Sequence, residues 1–329
     1  MTSVNVITRY TTPAAPAWLE SARRPFHADL YAFFSSEFNG IITDPLWMRV
    51  PVDDHLVHRG DGVFETLKCV SGRVYCLREH LDRLYASARE IGLAPPGHPE
   101  HIREIILEVL RAGERRDALI RVLVSRGPGS MGVSPYDCPS PHLYILAHRL
   151  PPAFMEQHPE GARLALSRIP VKAGLLATIK TCNYLPNALL KKDAVDQGAD
   201  FAVNLDECGF IAEGATENVG LVTPEGGLLV PRPGRILPGT TLNRALALAE
   251  QGLREGWLTS KGEEALTPAD LNRAAEILIF GTTTNVTAVT TWNGRPVADG
   301  RPGPVAKHLG ALLVAEQQGD NPYTTRAFA

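Results

Sequence analysis

Nothing in the 329 residues resembles a long apolar run: although 44% of them are hydrophobic, no stretch approaches the length a membrane-spanning helix needs. A basic field is missing too. The 33 lysines and arginines stand against 36 aspartates and glutamates, for a net charge of −3, which excludes the electrostatic footprint of a nucleic-acid binder. No block of like charges forms an interaction tail. Cysteine is scarce and badly spaced for a staple or a metal. Cys69, Cys76, Cys138, Cys182 and Cys208 are odd in number and contain no CxxC pair, so reduced thiols are expected rather than disulfides or zinc. The opening MTSVNVITRYTTPAAPAW has neither the basic start nor the apolar centre of a secretion signal. A soluble, cytoplasmic protein is expected, without metal, nucleic-acid or membrane partner, and its length suits two domains.

What is present is a mixture of strand and helix patterns. Residues 1–36 have no clear period and carry Pro13, Pro16 and Pro25, and are read as an N-terminal extension. From 37 to 150 the pattern is that of a small α/β domain. GDGVFETLKCV and GRVYCL are β-rich runs joined by the turn signal Ser71-Gly72. The next segment sets Leu81, Leu84, Tyr85, Ala88 and Ile91 at helical spacing, with Gly92 as the stop. The proline-rich LPPAFMEQHPEG places an interdomain linker at 151–161. A second domain, 162–329, alternates strands such as DFAVNLD and NVGLVT with helices near 186–197 and 240–252.

The second half holds the chemistry. In IKTCNYLPNALLKKDA, Pro186 suits the first turn of a helix, and Leu185, Ala188 and Leu189 begin a stripe expected to face the core. Lys180 therefore stands at a strand end or loop, while Lys191 and Lys192 turn to solvent. A lysine held in a partly dry pocket can lose its proton and condense with an aldehyde; the segment alone favours an ordinary surface or paired lysine. Cys182, two residues away, is read as a bystander. Glu213 closes the apolar strand FIAEG, where a carboxylate needs a partner such as a protonated ring nitrogen, or simply points to water. Pro238-Gly239-Thr240-Thr241 precedes an apolar-striped helix: either an ordinary threonine cap or a phosphate cradle. FGTTTNVTAV offers a second turn through Thr282 and Thr283. Lysine, ring-nitrogen carboxylate and phosphate cradle are together what pyridoxal phosphate requires.

These segments, in this order from about residue 50 to 315, resemble the class IV, or fold type IV, pyridoxal-phosphate aminotransferases. The resemblance implies a two-domain mixed α/β (α+β) fold with the cofactor, pyridoxal 5′-phosphate, at the domain interface. IKTCNYL resembles the family's Schiff-base segment and implies that Lys180 is the catalytic lysine, anchor and general base of a ping-pong transamination. IAEGATEN implies Glu213 as the pyridinium partner with Asn218 nearby. ILPGTTLNR implies Leu237 against the ring face and Thr240 and Thr241 on the phosphate. EHLDRLYASA matches the family's HxxRL pattern and implies that Arg83 reaches the phosphate; the residues alone favour an exposed pair with Glu79. Tyr184 is implied on the cofactor's 3′ oxygen, Thr282 on the phosphate, and Thr283 on the substrate carboxylate.

For the substrate, Phe64 of GDGVFE is implied in the pocket. SRGPGSMGVSPYD resembles the GMGVNP-like loop of branched-chain enzymes, with Met131 and Val133 as apolar wall where D-amino-acid enzymes carry a basic residue and a histidine. FETLK departs from the branched-chain pattern: Thr66 narrows the pocket and Lys68 weakens an anion site where arginine is usual. Arg121 is a candidate for the distal carboxylate of glutamate. The expectation is a transaminase moving amino groups between branched-chain L-amino acids and 2-oxoglutarate, as a homodimer or larger. The alternatives are a D-amino-acid or (R)-amine transaminase, an aminodeoxychorismate lyase, or a non-catalytic cofactor-binding relic.

Overall fold

The computed structural model describes residues 19–328. Its chain builds two sheets, each with its own core. The first has seven antiparallel strands in the order Thr324–Arg326, Arg73–Tyr75, Gly62–Val70, Ala118–Ser125, His142–His148, Leu30–Ser35 and Gly40–Ile42. The hairpin expected at Ser71-Gly72 is there, and both residues have positive φ, 51° and 79°, the conformation that a two-residue turn of matching twist demands. The helices Leu77–Glu90 and Pro99–Gly113 cover this sheet; Leu81, Leu84 and Ala88 of the first and Ile102, Ile106 and Leu110 of the second are buried with Val63, Leu67, Ile120 and Val122. The helix ends as its spacing predicts, with Gly92 at φ 60° just beyond it.

The second sheet is mixed: Ser260–Glu264, Gly227–Pro231, Asn218–Val222, Glu276–Gly281, Asn285–Trp292, Ala162–Leu166, Phe201–Leu205 and Ile211–Gly214, with Arg295–Pro296 at the side. It curls until its last strand meets an inner one through the pair Asn218↔Glu213. Helices Thr240–Glu255 and Pro304–Gln318 pack on it, Leu242, Ala245, Ala249, Leu309 and Leu313 entering its core. No helix among the described residues is long and apolar enough to cross a membrane.

Two edges of the sequence-drawn units fall differently. Part of the expected extension, 1–18, lies outside the described residues, but Leu30–Ser35 is a strand of the first sheet paired with His142–His148, so that sheet begins before residue 37. The chain's end also returns to it: Thr324–Arg326 pairs with Arg73–Tyr75. Between His148 and Ala162 the chain crosses from sheet to sheet through the short helix Phe154–Gln157. A third difference concerns the helix Leu185–Asp196. Leu185 and Leu189 are 69% and 41% exposed, and the buried face is instead Leu190, Asp193 and Ala194, because this helix leans on Phe201–Leu205 with its later turns and, with Asn187 tied to Ala215, turns Leu185, Ala188 and Leu189 outward. Lys191 and Lys192 do face solvent.

The sheets meet at Lys180. Where Arg73–Tyr75 stops, the start of Gly62–Val70 has an unpaired edge, and the Lys180 segment fills it: Phe64 N–H donates to Lys180 C=O at 2.9 Å, Cys182 N–H to Gly62 C=O at 2.9 Å, and Val63 bridges Thr181.

Candidate active site

A cavity of about 120 Å³ opens at this junction. Each wall comes from a different element. The first sheet contributes Phe64, Thr66 and Arg121, and its covering helix contributes Arg83. From the second come Lys180, Tyr184, Asn218, Leu237, Gly239, Thr240 and Thr241, then Gly281, Thr282 and Thr283. Beyond Lys180, Tyr184 and Leu237 lies a smaller recess walled by Glu213, Lys172, Asn187 and Glu217. Of the residues expected from the sequence to hold cofactor or substrate, all but Met131 and Val133 line one of these two spaces.

Lys180 places its amine 4.8 Å from the centre of the Phe64 ring and 6.0 Å from that of Tyr184; those rings pack edge to face at 5.0 Å. Burial, and after it the Arg83 charge, draws the amine down to about 8. The backbone on either side is tied to the first sheet, and Lys180 N–H also donates to Ser87 Oγ at 3.2 Å. Glu213, 8% exposed, is brought beside Asn218 by the closing of the second sheet. Its carboxylate accepts one hydrogen bond, from Leu237 N–H at 2.9 Å. Burial pushes it up to about 7 despite that bond and the charges of Lys172 and Lys180. Asn218 Nδ2 donates to Leu237 C=O at 3.0 Å, so Glu213 and Asn218 together pin the residue that opens the Leu-Pro-Gly-Thr-Thr turn.

That turn runs straight into the helix Thr240–Glu255. Gly239 is its N-cap and no side chain caps it; the threonines are its first two residues, not its cap. The first-turn N–H groups of a helix have no partner within it and carry its positive end. Gly239 is required, since a Cβ there would lie 1.8 Å from Asn218 Oδ1.

Arg83 does not pair with Glu79. Its guanidinium forks onto Glu65, with Nε and an Nη each 2.7 Å from one carboxylate oxygen, and donates to Pro238 C=O at 2.8 Å. Glu65 is fully buried and also takes His80 Nδ1 at 2.6 Å, while His80 Nε2 meets Thr240 Oγ1 at 3.2 Å. Burial by itself would raise Glu65; the Arg83 guanidinium and His80 overcome it and hold the carboxylate well below its usual range. This buried chain fastens the Leu-Pro-Gly-Thr-Thr turn to the first sheet. Glu65 and His80 were not picked out in the sequence, although a carboxylate centred in the apolar run GVFETL requires a cationic partner, and EHLDRL supplies two, one turn apart.

Met131 and Val133 stand outside the cavity, 65% and 81% exposed. Their loop is nevertheless held: Arg59 donates to Gly132 C=O at 3.1 Å, and His55 Nε2 lies 2.8 Å from Ser130 C=O. Lys68 is not an anion site in the cavity either; it is buried against Asn285. The Cys182 thiol, pushed up to about 12 by burial, is unreactive in this setting.

Known proteins resemble this chain over most of its length. Residues 62–292 match the family model described as amino-transferase class IV. A D-amino-acid transaminase of Arabidopsis thaliana, described as chloroplastic, is 36% identical over 88% of this chain and 78% of its own. A putative branched-chain-amino-acid aminotransferase of Methanocaldococcus jannaschii is 35% identical over 82% of this chain and 92% of its own. Among solved structures, the branched-chain amino acid aminotransferase from Escherichia coli superposes with a TM-score of 0.80, at 26% identity, over 91% of this chain and 99% of that one.

Proposed function

Because the chain belongs to the class IV aminotransferases, which work with pyridoxal 5′-phosphate, we propose that it moves amino groups from branched-chain L-amino acids to 2-oxoglutarate, with Lys180 holding the cofactor. The supporting observation is the convergence on the cavity and the adjoining recess, with Lys180 between them, of an amine drawn towards neutrality, a buried carboxylate with acceptor capacity unused, and an uncapped helix start. These are the requirements of an aldehyde, a protonated pyridine and a phosphate, so the residues fit the group.

When bound, pyridoxal phosphate supplies a carbonyl that captures amines and a ring that withdraws electrons from the substrate Cα. Lys180 Nζ would anchor it and, once freed, could take up and return the substrate Cα proton; burial, which draws the amine down to about 8, leaves it a useful neutral fraction near neutral pH. Glu213 would keep the ring nitrogen protonated. Leu237, which Asn218 holds in place, would support the ring, and the Tyr184 hydroxyl would serve the 3′ oxygen. Thr240, Thr241 and the helix start would receive the phosphate with Thr282. Arg83 joins them: of its five N–H donors three are spent on Glu65 and Pro238, leaving two.

At the substrate end, Phe64 and Tyr184 offer an apolar face, Thr283 its backbone N–H for the carboxylate, and Arg121, whose guanidinium lies 5.4 Å over the Phe64 ring, a partner for the second carboxylate of 2-oxoglutarate. Met131, Val133 and the 94%-exposed Tyr136 form an apolar loop surface that a second copy would cover, so a cytoplasmic homodimer completes the proposal. The Methanocaldococcus relative and the Escherichia coli structure favour branched-chain donors. The Arabidopsis relative favours a second reading, D-amino-acid transamination. A panel of L-leucine, L-isoleucine, L-valine and D-alanine, each followed by the single-turnover absorbance change of the bound cofactor, separates them: a faster reaction with D-alanine than with any of the three L-amino acids refutes the first reading.

A further inference from the structure

We propose that Lys68 is a positioning residue: by donating to Asn285 it fixes the Thr282–Thr284 turn against the first sheet and so sets the end of the cavity that receives the substrate carboxylate. The proposal rests on the reading of that turn given above.

Alternate residues of a strand share a face, so Phe64, Thr66 and Lys68 point the same way. The first two line the cavity. The third is 4% exposed and ends on Asn285 Oδ1, across the boundary between the sheets. Among the described residues its amine forms no ion pair. A lysine this buried is ordinarily paired with a carboxylate, and an apolar side chain of similar length would fill the space without desolvating an amine, so its hydrogen bond is what distinguishes it. Asn285 lies in the left-handed region at φ 57° and closes the hairpin opposite Gly281. It is the residue that ends the Gly-Thr-Thr-Thr turn, and its side-chain oxygen also accepts from Gln317 Nε2 at 3.1 Å.

Among the described residues no other side-chain hydrogen bond ties the turn to the first sheet: Thr284 Oγ1 is buried without a partner, and Thr287 Oγ1 donates to Thr284 C=O from within the same hairpin. Burial lowers the Lys68 amine to about 7, against a smaller upward influence from Cys76 and Glu156. Protonated or neutral, the amine retains an N–H for Asn285, so the contact survives on both sides of that pH. Thr66 and Arg121, cross-strand neighbours on this sheet, thus face a turn whose distance from them is set by the strand of Thr66 and Lys68.

The test uses the cofactor-saturated full chain. Lys68→Met removes the donor, Asn285→Ala the acceptor, and Lys68→Arg supplies a donor of similar reach. Each is compared with the unaltered protein by the KM and kcat for L-leucine and 2-oxoglutarate, and by inhibition with 4-methylvalerate and with its primary amide. Losing one charge-assisted or buried hydrogen bond that orders the turn should raise both KM values roughly tenfold with kcat within about threefold. The acid-over-amide preference should fall by a similar factor. Lys68→Arg should recover most of both, and Lys68→Met/Asn285→Ala should do no more than either single change. Should Lys68→Met not fold, Asn285→Ala and Lys68→Arg carry the same comparison. An unchanged acid-over-amide preference in the variants, or additive effects in the double variant, overturns the proposal alone. No acid-over-amide preference in the unaltered protein overturns the reading of the turn, and the proposal with it.

Discussion

Glu213 is asked to serve a bound cation, and without one it should be a burden. In the cofactor-free chain its carboxyl sits 8% exposed with a single N–H for company and is pushed from 4.5 up to about 7. At about 1.4 kcal/mol for each tenfold change in proton affinity, that rise corresponds to roughly 3 kcal/mol of lost stability once the group is ionised. The sign follows from where protons are bound. Between pH 4.5 and about 7 the folded chain holds a proton that the unfolded chain has released, so stability falls as pH rises, and the full loss is present above about 7. Glu213→Gln keeps an acceptor for Leu237 N–H and removes the charge. Urea unfolding of the cofactor-free proteins should therefore show the variant more stable at pH 8 by up to roughly 3 kcal/mol, with the gain fading towards pH 4.5. With cofactor bound, the same variant should bind it and yet slow the half-reaction. A variant no more stable than the parent at pH 8, or equally more stable at both pH values, would refute the electrostatic account of Glu213.

The other expectations are shorter. Lys180→Ala should abolish turnover with the far-UV circular dichroism and thermal midpoint close to those of the parent; transamination at a normal rate would contradict the role given to Lys180. Arg83→Ala should release cofactor readily, and should also destabilise the chain by about 3 to 5 kcal/mol because it strips a buried carboxylate of its main partner. Dialysis followed by absorbance reads the first effect and urea unfolding the second; a variant that only loses cofactor would mean that His80 alone neutralises Glu65. Thr241→Ala should weaken cofactor retention less than Arg83→Ala, since backbone donors at the helix start remain, and equal losses would argue against a phosphate at that helix.

Much of this was legible in the sequence where local signals and chemistry coincide. Ser71-Gly72 forced a hairpin, Pro186 opened a helix, and Gly239 before two threonines marked a helix start that faces the cavity. The long-range pairings were not legible. Leu30–Ser35 has no turn signal tying it to His142–His148, and no local pattern brings Thr324–Arg326 back to Arg73–Tyr75. Leu185 and Leu189 have the spacing of a buried face, but which face is buried depends on how the helix leans on Phe201–Leu205. The Glu65–His80–Arg83 chain depends on two elements 15 residues apart in sequence and becomes visible only when a charged residue in an apolar strand is treated as a demand for a partner. Lys68 tells the same story: read beside a family pattern it looked like a weakened anion site, whereas its burial and Asn285 make it part of the frame.

The central claim is that Lys180, among all the lysines of the chain, carries the cofactor. Its most direct test is borohydride reduction of the cofactor-loaded protein, followed by proteolysis and mass spectrometry of the pyridoxyl-lysine peptide. The expected label is on Lys180, within the peptide that contains Thr181-Cys182-Asn183-Tyr184. A label on Lys172, Lys68 or any other lysine, or stoichiometric labelling that persists in Lys180→Ala, would contradict it.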